Sequence, residues 1–75
     1  MIFVTNDERM GNNIRCLRQK RGITCEELAR LVGISFRELH DIEEGRQWEI
    51  HGDTLKNICE YFHISVDALV ESVDI

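Results

Sequence analysis

At 75 residues the chain has room for one domain spanning residues 1–75, near the size below which a single hydrophobic core needs staples. A two-layer scaffold around a closed catalytic pocket does not fit, which argues against an enzyme. With 43% hydrophobic and 31% charged residues the chain is too apolar for disorder. Its apolar runs are too short to span a bilayer, and Met1-Ile2-Phe3-Val4 lacks the charged n-region of a signal peptide, so a cytoplasmic protein with no membrane partner is expected. Three cysteines make a disulfide framework a poor fit. The net charge of −5 argues, taken alone, against a nucleic-acid partner.

That charge is unevenly spread. Residues 1–23 hold five basic and two acidic side chains, residues 24–47 three and six, and residues 48–75 one and six. The basic cluster is Arg9, Arg15, Arg18, Lys20 and Arg21.

Met1–Val4 reads as a strand too short to build a sheet alone. Residues 1–5 are expected to be an arm, either flexible or pairing across a dimer. A first helix is expected from about Asn6 to Arg21, with Met10, Ile14 and Leu17 as its apolar stripe and Gly11 weakening it slightly. Thr24 with Glu27 forms a capping box that opens a second helix, flanked by Ile23 and Leu28 as a hydrophobic staple. Leu28, Leu31 and Val32 are its expected buried stripe, and Gly33 its stop. Ser35 with Glu38 repeats the box, Ile34 with Leu39 repeats the staple, and Leu39 and Ile42 face inward. Gly45 ends this third helix. A fourth starts near Asp53 and carries Leu55, Ile58, Cys59 and Phe62 at helical spacing. Gly52, like Gly22, Gly33 and Gly45, falls where helix stops do. A fifth starts at Ser65 with Ile64 and Leu69 as staple. The fold class is all-α, five short helices.

The informative stretch is Thr24 to Gly45. Two short helices joined by only Gly33-Ile34-Ser35 must cross at a large angle, which is helix-turn-helix geometry. Ala29 lets the helices approach, and Leu28, Val32, Ile34, Leu39 and Ile42 form the wedge that sets the angle. If Leu39 and Ile42 are buried, the third helix presents Phe36, Arg37, His40, Asp41 and Glu44 outward.

The segments Ile14-Arg-Cys-Leu-Arg18, Gly22-Ile-Thr-Cys-Glu-Glu-Leu-Ala29, Gly33-Ile-Ser35 and Ile42-Glu43-Glu-Gly45 together resemble the phage Cro/repressor helix-turn-helix family, over roughly residues 10–70. The resemblance implies a compact five-helix, lambda-repressor-like DNA-binding domain whose third helix enters the major groove. The function it implies is that of a sequence-specific transcriptional regulator, a repressor, binding double-stranded DNA as a homodimer. By position, Phe36, Arg37 and Asp41 match base readers: Arg37 toward guanine O6 and N7, Phe36 toward a thymine methyl, Asp41 accepting from cytosine N4. Arg18, Cys25, Arg46 and Gln47 match backbone contacts, and Arg18 also matches the partner of Glu43 in a structural ion pair. Val66, Leu69, Val70 and Val73 match the dimer interface, with Ile75 adding apolar surface beyond it.

The sequence departs from the family pattern in three places. Cys25 replaces the usual glutamine. Asp41 and Glu44 bring net repulsion toward phosphate. The loop from Arg46 to Gly52 is about one residue longer than typical and carries Trp48 and Ile50 where proline is common. These departures motivate an alternative, a helix-turn-helix fold used for protein–protein interaction with little DNA affinity, and leave room for a protein antagonist. Trp48 either covers the end of the core or anchors an interface. Cys25 at a helix N-terminus raises a redox reading through a lowered pKa, against plain packing. Cys59 and His63 have a metal-compatible spacing, but two ligands do not make a site and Cys59 lies on the apolar stripe, so no metal or cofactor is expected.

Overall fold

The computed structural model describes residues 3–5 and 8–71. Five helices, α1 (Glu8–Arg21), α2 (Cys25–Val32), α3 (Phe36–Glu43), α4 (Gly52–Phe62) and α5 (Val66–Glu71), enclose one core. Each brings an apolar arc to it: Met10 and Ile14 from α1, Leu28, Ala29 and Val32 from α2, Leu39 and Ile42 from α3, Leu55, Ile58, Cys59 and Phe62 from α4, Leu69 from α5. Asn6, the expected start of the first helix, lies outside the described residues.

Two short strands qualify the all-helical expectation. β1 (Phe3–Thr5) and β2 (Glu49–His51) pair antiparallel, Val4 opposite Ile50. The arm thus pairs within its own chain across these residues, where pairing across a dimer or flexibility was expected; Met1 and Ile2 lie outside the described residues. Ile50 is fully buried and anchors β2 to the core.

Several helix ends differ in detail. Gly52 opens α4, where a helix stop was expected, and His51 caps it by accepting from Asp53 N–H at Nδ1. The stop after α4 is His63, a non-glycine residue at φ 57°. Leu31 is 57% exposed, so the α2 stripe is Leu28, Ala29 and Val32. Leu31 falls about 60° outside the arc those three define on a helix of 3.6 residues per turn.

Gly11 has a use that its low helix propensity hides. A Cβ built there lies 3.0 Å from the Glu43 carbonyl oxygen and closer still to that of Ile42. The missing side chain lets α1 cross directly against the last turn of α3. Two residues further along α1, Asn13 is buried and donates from Nδ2 to the Leu69 carbonyl at 2.7 Å, tying α1 to α5. Asn57 donates in the same way from α4 to the Val32 carbonyl at the end of α2, at 3.3 Å.

Candidate nucleic-acid interface

The turn between α2 and α3 is fixed from both sides. Glu27 N–H donates to the Thr24 hydroxyl and Thr24 N–H to the Glu27 carboxylate, each at 3.1 Å, completing a capping box. At the end of α2, the Ala29 carbonyl accepts from Gly33 N–H at 2.9 Å and Ile34 N–H at 3.0 Å, with Gly33 at φ 82°. That left-handed conformation, open to glycine, swings the chain into α3. The α3 cap is a single bond, Glu38 N–H to Ser35 Oγ at 3.1 Å, rather than the reciprocal box the spacing suggested.

Burial of Leu39 and Ile42 turns the opposite face of α3 outward. Phe36, Arg37, His40, Asp41 and Arg46 line one open groove of about 270 Å³. Phe36 is 48% exposed, and its ring lies 5.7 Å from that of His40. His40 Nδ1 stands 4.0 Å from Asp41 Oδ1. The Asp41 carbonyl accepts from Arg46 N–H at 2.9 Å and Gln47 N–H at 3.3 Å, which folds the following loop back beneath α3 and brings Arg46 to the groove. The three residues matched to base readers and one matched to a backbone contact thus share a surface. Gln47 is half-buried beside it.

The other matched backbone contacts lie elsewhere. Arg18 grips Glu43 with Nε to Oε2 at 2.8 Å and a terminal nitrogen to Oε1 at 3.0 Å; its remaining nitrogen donates to the Ile23 carbonyl at 3.0 Å. The hydrogen-bonded Glu43 carboxylate raises the Arg18 pKa, against burial, which lowers it. Arg18 is therefore held in the structural pair with Glu43 and tied to the Ile23 carbonyl. Cys25 is half-buried and packs against the core. Burial, and then the Glu43 carboxylate, push its thiol up from the ordinary value, with Arg18 and Arg15 pulling the other way. The redox reading needed a lowered value, and the shift has the opposite sign.

Arg15 supplies what the sequence reading missed. It donates to the Glu43 carbonyl at 3.1 Å and pairs with the Glu44 carboxylate. Glu44, expected to repel phosphate, has its charge met by a neighbour. The spacing of Arg15 and Arg18 on one face of α1 was the available signal. With Arg9 and Asn12 this network borders a second open groove of about 450 Å³. Arg21 points away, its guanidinium 5.1 Å from the Tyr61 ring and 5.6 Å from that of Phe62 on α4. At the groove, Arg37 and Arg46 face Asp41 as the fixed charges.

Of the residues matched to a dimer interface, Val66 is 40% exposed but Leu69 is fully buried in the chain's own core, with its carbonyl held by Asn13. Leu69 is unavailable to a partner because it closes α5 onto α1. Val73 and Ile75 lie outside the described residues, as does the side chain of Val70. Trp48 is 83% exposed and covers no core; that place is taken by Ile50. Cys59 is buried, with its thiol pKa raised by burial, while His63 is exposed. Among the described residues no helix is long and apolar enough to cross a membrane.

A family of helix-turn-helix domains matches residues 11–75. Among solved structures, the clp gene regulator ClgR from C. glutamicum is 30% identical, with 85% of this chain and 82% of that one covered and a TM-score of 0.74. The P22 c2 repressor, solved in complex with synthetic operator 9T, is 29% identical over 80% of this chain and 89% of its own, with a TM-score of 0.69. Among curated proteins, the isomerizing glutamine–fructose-6-phosphate aminotransferase of Methanocaldococcus jannaschii is 28% identical over 64 residues, 85% of this chain but 6% of that enzyme. The match that spans most of both partners is to the regulators, and its extent coincides with the turn, the wedge and the Arg18–Glu43 pair described above. The chain belongs to the helix-turn-helix domain family, of the phage Cro/repressor type.

Proposed function

We propose that the chain is a sequence-specific double-stranded DNA-binding transcriptional regulator, a cytoplasmic repressor acting as a homodimer, with α3 in the major groove. The observation that carries this reading is the groove in which Phe36, Arg37, Asp41 and Arg46 converge on the outward face of α3. Arg37 reads a guanine through two hydrogen bonds, Asp41 accepts from a cytosine amino group, and Phe36 meets a thymine methyl. Arg46, with Gln47 beside it, contacts phosphate and sets the register. The N–H groups at the capped starts of α2 and α3 add partial positive charge toward phosphate. The likeness to an operator-bound repressor supports the same reading.

The net negative charge weighs less than it first did. Glu43 and Glu44 are met by Arg18 and Arg15, which leaves Asp41 as the unoffset carboxylate of the groove toward phosphate, with His40 the side chain beside it. Weak non-specific binding and a strong dependence on base contacts follow. Two half-sites add their energies in a twofold complex, and the exposed Val66 supports α5 as the dimer face. The interaction-module reading loses part of its motive with the neutralised glutamates; a protein antagonist acting on the same surface is compatible with either.

Selection of purified protein against a random duplex library tests the proposal. Enrichment of a sequence with twofold-related halves is expected, with affinity falling steeply as salt rises. Absence of any enriched sequence at low salt refutes it.

A further inference from the structure

Four of the five side chains that line the α3 groove have a part in the reading above; His40 has none. Its ring is placed by two neighbours. The Phe36 ring, one turn earlier, stands 5.7 Å away at a tilt of 36°, and Asp41 Oδ1 stands 4.0 Å from His40 Nδ1. The His40 side chain is 46% exposed and that of Asp41 34%, so solvent reaches both. Of the side-chain types in the groove, imidazole is the one that changes charge near neutral pH. The charges around it are of fixed sign. On α3 itself they are Arg37, Glu38, Asp41 and the paired Glu43 and Glu44, and Arg46 enters from the loop. Both α1 and α2 pack against α3. From α1, Arg15 and Arg18 go to Glu44 and Glu43; from α2, Cys25, with Glu26 near it, lies toward the Arg18–Glu43 pair. Asp41 is thus the carboxylate that meets His40 in the groove.

We infer that His40, by gaining or losing a proton beside Asp41, sets the balance between overall DNA affinity and base discrimination at this groove. The inference rests on the DNA-binding reading above and adds a proton to it. With the imidazole neutral, Asp41 keeps its full charge, accepts from a cytosine amino group and repels phosphate. With the imidazole protonated, a cation stands at ion-pair distance from Asp41. Arg37 and Arg46 against Asp41 give the groove +1, and a protonated His40 makes it +2. The added charge favours every duplex alike, because phosphate carries no sequence information. The Asp41 carboxylate, now drawn to the imidazolium N–H, becomes a weaker acceptor for cytosine. Acidification therefore tightens binding to any duplex and narrows the preference for the selected one. The other two histidines of the chain, His51 and His63, lie at the two ends of α4, outside the groove.

Anisotropy of a rhodamine-labelled duplex tests this, once with a random-sequence pool and once with the duplex enriched from it at the higher pH. Both are titrated at constant ionic strength at about pH 8 and about pH 5.5, either side of the ordinary imidazole range. At the lower pH the pool is expected to bind roughly fivefold tighter, the scale of one exposed ion pair. Its slope of log affinity against log salt is expected to steepen by about one for each protomer bound. The enriched duplex is expected to gain less, so the ratio between the two falls. His40→Gln, which cannot take the proton, is expected to keep the higher-pH affinities and ratio at both pH values. Asp41→Asn is expected to abolish the narrowing while the pool still gains. The double variant His51→Asn with His63→Asn is expected to respond to pH as the parent does. Circular dichroism melts at both pH values check that each variant is folded. A pH response that survives in His40→Gln, or is lost in the double variant, overturns the inference. So does an equal gain by pool and enriched duplex, or a narrowing that persists in Asp41→Asn. Binding that is strong but independent of pH overturns this inference alone. If the parent changes the anisotropy of no duplex at either pH, the DNA-binding reading itself falls and this inference with it.

Discussion

Arg18 on α1 and Glu43 at the end of α3 meet through two parallel hydrogen bonds of 2.8 and 3.0 Å, with Glu43 buried. This pair holds α3 against α1, and its third contact, to the Ile23 carbonyl, extends the hold to the residue before the α2 cap. Removing one partner strands the other in a largely dry place. Glu43→Ala is expected to cost about 3 kcal/mol in urea unfolding. A double replacement, Arg18→Met with Glu43→Leu, is expected to recover much of that loss, since a well-packed apolar pair escapes the desolvation cost. A recovery of none would show the pair to be worth more than the apolar contact that replaces it.

Gly11→Ala tests the crossing of α1 over α3. On propensity alone alanine stabilises a helix interior by up to about 1 kcal/mol. Here the added methyl meets the carbonyl oxygens of Ile42 and Glu43. The expected outcome is a loss of about 2 kcal/mol from overpacking, read as a lower thermal midpoint. The displaced α3 should also weaken DNA binding under conditions where the variant stays folded.

Phe36 and Arg37 sit side by side but should fail differently. Arg37→Ala is expected to relax preference at one base position, at a cost of about 1–3 kcal/mol on the selected duplex. Phe36→Ala is expected to abolish the difference between duplexes carrying thymine and uracil at one position. A Phe36→Ala variant that still distinguishes thymine from uracil there removes Phe36 from base reading.

Burial holds the Cys59 thiol above the ordinary range and does the same, with Glu43, for Cys25. Both shifts favour the neutral thiol in the folded state. The stability they contribute is whole below the ordinary thiol pKa and is lost as pH rises through the raised folded values. Unfolding midpoints should therefore fall between about pH 8 and pH 10, less steeply in Cys59→Ala. Iodoacetamide at neutral pH should label Cys59 after unfolding and spare it before.

The helical part of the fold could be read from the sequence because its signals are local. Thr24, Ser35 and Ser65 each precede an apolar periodic run, and each caps a helix in the structure. What escaped reading depends on distant partners. Glu49–His51 is too short to show alternation and becomes a strand because Phe3–Thr5 lies beside it. Gly11 looks like a flaw until the α3 carbonyls arrive. Asn13 looks like surface until the Leu69 carbonyl does. At the proposed interface, residue types indicated Phe36, Arg37 and Asp41, but whether Arg18 faced phosphate or protein depended on Glu43 and the Ile23 carbonyl together. The contact of the His40 ring with Phe36 follows from their spacing of one helical turn and is legible in the sequence.

The Asn13–Leu69 bond spans 56 residues of sequence, and the β1–β2 ladder likewise joins early chain to late. Contacts of such separation form late, because each must close a long loop before it is rewarded. During synthesis α1 therefore emerges well before the elements that complete its surroundings. Its surroundings are completed only once α5 is made. The nascent chain accordingly passes through a stage in which α2 and α3 can already pair locally while α1 awaits its last neighbour. Ribosome-stalled chains ending before Leu69 should resist proteolysis less than chains that include it.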